Sequence, residues 1–84
     1  MGYKFIGRYI VSDPAVCHGE PIFRGTRILV ADVLEQVAAG MAWEAIIEEW
    51  RGAVTKEAIA EAVRIASEML VTHAPDLTAE PVGL

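Results

Sequence analysis

The chain has 84 residues, a formal charge of −5 and an apolar fraction of 54%, with a mean hydropathy of +0.35. That length suits one small domain, and no apolar run reaches the roughly 18 residues of a membrane span. A single cysteine excludes an internal disulfide, and the N-terminal "MGYKFIGRYIV" lacks the apolar core and cleavage site of a secretion signal, so the expected compartment is the reducing cytoplasm.

So small a domain hides only about 60–65% of its unfolded surface. The apolar fraction is high for that limit, and some of it is expected to be covered by a second chain, either as a homodimer or against a partner. Charge is also unevenly spread. Residues 1–28 carry Lys4, Arg8, Arg24 and Arg27 against Asp13 and Glu20, a balance of +2, whereas residues 29–84 carry a balance of −7. An acidic body is repelled by nucleic acid, so phosphate contacts are expected only from the N-terminal third, and a basic protein partner suits the rest.

In chain order, Arg8–Val11 and Pro21–Arg24 are short β-prone runs separated by the turn signals Ser12-Asp13-Pro14 and His18-Gly19. With the turn Arg24-Gly25-Thr26-Arg27 they predict a β-hairpin-like element over residues 8–28. Val30, Val33, Leu34, Val37 and Ala38 then mark one face of a helix over about 30–39 that Gly40 stops. Trp43, Ile46, Ile47 and Trp50 mark a second, over about 43–50, ended near Gly52. Ile59, Ala62, Val63, Ala66, Met69 and Leu70 line a third, over about 55–71, with Thr55 as its N-cap. Residues 72–84 lack periodicity and read as a flexible tail. The predicted architecture is mainly α: a trihelical, helix-turn-helix unit with a small N-terminal β element, in one domain over residues 1–71.

The stretch Cys17–Ile28 gathers a thiol, an imidazole, two glycines and two arginines. Zinc sites usually show two short ligand pairs, and Cys17, His18 and His73 do not, so no metal is expected. Nothing in the spacing sets a base beside Cys17 for nucleophilic catalysis. No Gly-Lys-Ser/Thr phosphate loop is present. The glycines read as turn residues with positive φ, and Pro21 as a fixed φ ahead of a strand. Arg27, just before the first helix, is expected to pair with Asp32 or Glu35.

The ordered series Asp13-Pro14, Gly19-Glu20-Pro21, Gly25-Thr26-Arg27-Ile28-Leu29-Val30 and Gly40-Met41-Ala42-Trp43-Glu44, followed by a helix opened by Thr55, resembles the bacterial domain-of-unknown-function 433 family over roughly residues 9–70. On that pattern Asp13, Pro14, Gly19, Pro21, Gly25, Thr26, Arg27 and Gly40 are the motif positions. Ala42 departs from the family's usual Ser and Ala45 from a common Glu. The resemblance implies a homeodomain-like helix-turn-helix fold. It also implies a role as the antitoxin of a type II toxin–antitoxin module, holding a PIN-like nuclease toxin and repressing its own operon. A stand-alone helix-turn-helix DNA-binding regulator is the alternative. No catalytic residue, cofactor or metal is expected.

Candidate nucleic-acid contacts are Arg8, Arg24 and Arg27. DNA binding should be weak or assisted by the toxin, because the outward side of the third helix (Lys56, Glu57, Glu61, Arg64, Glu68) reads as net acidic. Candidate partner contacts are Trp43, Glu44, Glu48, Glu49, Trp50, Glu57 and Glu61, with the tail adding Leu77, Val82 and Leu84.

Overall fold

The computed structural model describes residues 2–77. Three short strands come first: β1 (Lys4–Phe5), β2 (Ile10–Ser12) and β3 (Ile22–Phe23). They form an antiparallel sheet in the order β1-β2-β3, with Phe5 opposite Val11, Ile10 opposite Phe23 and Val11 opposite Ile22. The predicted hairpin over residues 8–28 is thus too narrow, since the sheet takes its first strand from Lys4–Phe5. That two-residue strand carries no alternation for a sequence reading to detect; it pairs with β2 across a turn in which Ile6 N–H and Gly7 N–H both donate to Ile10 O.

The helices α1 (Val30–Ala38), α2 (Trp43–Glu49) and α3 (Lys56–Thr72) fall within one residue of their expected bounds. α1 closes as a Schellman motif: Met41 N–H donates to Gln36 O and Gly40 N–H to Val37 O, with Gly40 at φ +87°. α2 closes the same way, through Gly52 N–H to Ile47 O and Arg51 N–H to Glu48 O. Here the left-handed position is Arg51, at φ +54°, and Gly52 follows at +78°. The Thr55 hydroxyl caps α3 by accepting from Ala58 N–H at 3.1 Å. α2 has no such cap, because Ala42 stands at that position. The part of the expected tail up to residue 77 is ordered as a 3-10 turn, Ala74–Asp76; Val82 and Leu84 lie outside the described residues.

Strand alternation decides which side chains meet the helices. Ile10 and Phe23 face inward and join Val30, Val33, Ile46, Val54, Ala58, Ile59 and Ala62 in one core. Val11 and Ile22, one residue away on each strand, are buried as well, at 0% and 3% exposure. They point to the opposite side of the sheet, beneath the loop that connects β2 to β3.

Candidate functional site

The β3 turn is fixed by its own chemistry. Thr26 N–H donates to Phe23 O at 3.0 Å, and Gly25 in the third position has φ +80°, the conformation a type II turn demands. The Thr26 hydroxyl donates to Phe23 O at 2.7 Å and accepts from Ile28 N–H at 2.9 Å. Thr26 is therefore a structural latch, and Arg24 and Arg27 stand exposed on either side of it.

Arg24 N–H donates to Tyr9 O at 2.8 Å, placing Arg24 beside the Arg8–Tyr9 segment. Arg8 lies over the Tyr9 ring at 5.6 Å. The expected pairing of Arg27 with Asp32 or Glu35 does not form: among the described residues the ion pairs are Arg64–Glu61, Arg64–Glu68 and His73–Asp76. Ile28 and Leu29 separate Arg27 from α1, and the β3 turn carries Arg27 to the outer face of the sheet instead.

That outer face holds a concavity of about 410 Å³ whose walls include Tyr3, Asp13, Val16, Thr26 and Arg27, with Val11 and Ile22 at its base. The connecting loop on one side is strained, with Cys17 at φ +50° and His18 at φ +58°, a conformation that costs of order 1–3 kcal/mol for a non-glycine residue. Ser12 Oγ donates to Gly19 O at 2.6 Å and Cys17 Sγ approaches Arg27 O at 3.7 Å, tying the loop to the end of β2 and to Arg27 beyond the β3 turn. Among the described residues, no three His, Cys, Asp or Glu side chains converge as metal ligands.

The acidic positions divide. Glu44, Glu48, Glu49 and Glu57 are exposed. Glu61, expected on the outward side of α3 among the partner contacts, is instead 8% exposed. Its carboxylate accepts from Arg8 N–H at 2.8 Å and from Tyr9 N–H at 2.7 Å. The β1–β2 turn lies directly on it, and a Cβ on Gly7 would fall 2.6 Å from Glu61 Oε1. Glu61 is thus a clasp between α3 and the sheet, and it leaves the outward face of α3 balanced in charge. The signal was its place between Ala58 and Ile65, one helical turn from each, so that it shares an edge of the helix with two apolar residues.

Trp43 and Trp50 are half-buried and pack against the core. Trp50 Nε1–H donates to Gln36 Oε1 at 2.8 Å, and Gln36 Nε2–H donates to Glu49 Oε2 at 2.9 Å. Gln36, which sequence reasoning passed over, fixes the end of α2 against α1. Beyond Ile65, α3 runs past the core: Met69, Leu70 and Val71 are 53–74% exposed, and an apolar groove of about 440 Å³ lies between that helix end and Leu77.

A family model described as "Protein of unknown function (DUF433)" matches residues 10–66. The chain belongs to this family. The DUF433 match takes in β2, β3 and all of α1 and α2, together with the buried half of α3; β1 and the exposed helix end lie outside it. The chain is also similar to the uncharacterized protein y4eO of Sinorhizobium fredii, at 40% identity over 58 residues. That alignment covers 69% of this chain and 24% of y4eO, so the chain spans about a quarter of its relative's length. No solved structure matches. Among the described residues, no helix is long and apolar enough to cross a membrane.

Proposed function

We propose that this domain acts by protein binding, as the antitoxin of a type II toxin–antitoxin module that neutralises a PIN-like nuclease toxin. In this reading α2, its turn and α3 form a helix-turn-helix of homeodomain-like type, and a second copy completes the working unit. The observation that carries the proposal is the placement of the acids on α2. Glu44 and Glu48 are exposed one helical turn apart, and like charges at that spacing destabilise a helix by a few tenths of a kcal/mol. Glu48 and Glu49 occupy the last turn, which has no basic residue and where the helix dipole disfavours negative charge. An arrangement that is unfavourable in the free domain becomes favourable against a basic surface, such as the nucleic-acid-binding face of a nuclease. The Gln36 hydrogen bonds tie the end of α2 to α1, which reduces the ordering cost of binding.

The test is coexpression with the product of the adjacent gene. Glu44→Lys with Glu48→Lys should weaken rescue from toxicity and slow association, most clearly at low salt. If the unaltered domain gives no rescue, the antitoxin reading fails. If the reversals leave rescue intact while Arg24→Glu or Arg27→Glu abolishes it, the arginine-bearing turns hold the toxin instead.

A second reading, a DNA-binding regulator, draws on one observation: Arg8, Arg24 and Arg27 enter no ion pair among the described residues. Salt-dependent binding of operator DNA that is lost in the triple Arg→Gln variant would favour it.

A further inference from the structure

We infer that the cavity on the outer face of the sheet is a binding site for a small zwitterion of the α-amino-acid class with an apolar side chain. The volume of about 410 Å³ falls within the roughly 300–1,000 Å³ range of small-molecule sites. Its wall carries two opposite charges that do not satisfy each other. Asp13 and Arg27 both line it, yet they form no ion pair. Asp13 commits one oxygen, Oδ1, to the Ala15 N–H at 2.9 Å, which fixes the carboxylate and leaves Oδ2 for a ligand. Arg27 follows the Thr26 latch directly in the chain, and its exposed guanidinium presents a fork of donors that matches a carboxylate.

The mixed rim selects by exclusion. A simple anion drawn to Arg27 is opposed by Asp13, and a simple cation drawn to Asp13 is opposed by Arg27. A ligand carrying an ammonium and a carboxylate on neighbouring atoms satisfies both. Between the charges the wall is apolar: the half-buried Val16 and the exposed Tyr3 ring, held edge-to-face by Phe5 at 5.3 Å between centroids, stand over the buried Val11 and Ile22. An aliphatic side chain laid there loses water contact without stranding a polar group. This inference does not depend on the antitoxin reading, because the site lies on the sheet face turned away from the helices.

Titration of the full chain with L-leucine, followed by amide chemical shifts, tests it. N-acetyl-L-leucine, which lacks the ammonium, and L-leucinamide, which lacks the carboxylate, serve as the discriminating probes. The expected result is saturable shifts at residues 11–13 and 25–27 with L-leucine, and binding weaker by about tenfold or more for each blocked analogue. Asp13→Asn keeps an oxygen for the Ala15 N–H, so the turn survives, and it should bring L-leucine down to the affinity of N-acetyl-L-leucine. Arg27→Gln, on an exposed side chain, should do the same relative to L-leucinamide. Absence of saturable shifts at tens of millimolar overturns the inference. So does a blocked analogue that binds as well as the free amino acid, or binding that both variants leave intact.

Discussion

Replacing Glu61 with Ala should unfold the junction between α3 and the sheet before anything else. The carboxylate is 8% exposed and accepts two backbone N–H groups at 2.8 and 2.7 Å. Hydrogen bonds to a charged group are worth about 1.5–3 kcal/mol each, and the lower end applies here because the freed amides of Arg8 and Tyr9 regain some water. The ion pair to Arg64, at 3.8 Å and with that side chain 59% exposed, adds little. A loss of about 2–4 kcal/mol follows, a large share of the roughly 4–12 kcal/mol expected for a chain of this length. Urea unfolding measures it, and native-state hydrogen exchange should show amides 8 and 9 losing protection. Gly7 supplies the control. Gly7→Ala brings a Cβ to 2.6 Å from Glu61 Oε1 and 2.9 Å from Ile65 Cδ1, so it should be destabilising in the parent and clearly less so beside Glu61→Ala, a coupling of about 1 kcal/mol or more. Unchanged stability in Glu61→Ala with amides 8 and 9 still protected, or additive effects of the two changes, would refute the clasp.

Three further outcomes are expected. Ala42→Ser should stabilise by about 1 kcal/mol in a urea melt, by capping a helix start that has no side-chain partner. Arg51→Gly should raise the melting temperature by relieving about 0.5–1 kcal/mol of left-handed strain at the α2 C-terminus; a lower value would show that the arginine stem contributes more than the strain costs. Gly25→Val should destabilise by about 1–3 kcal/mol, as nothing lies within 4 Å of the added Cβ and the penalty is that of a β-branched residue at positive φ.

The sequence by itself determined the helices, because their signals are local. A periodicity of 3.6 in Val30–Ala38 and in the residues after Thr55 needs no partner to be seen, and Gly40 and Thr55 act within one turn of where they stand. The ordered motif likewise identified the family, and the positive φ of Gly25 followed from the turn chemistry around it. Tertiary structure decided three matters. It recruited Lys4–Phe5 as a strand, since a two-residue segment acquires its conformation from the β2 backbone it pairs with. It sent Arg27 to the outer sheet face, away from Asp32 and Glu35, because the turn closed by Thr26 sets the side-chain direction before α1 begins. It also turned Glu61 from a presumed surface acid into a buried clasp. A helical wheel shows which edge a residue occupies, but only the arrival of two backbone amides from more than fifty residues away makes that edge a place where a carboxylate is satisfied.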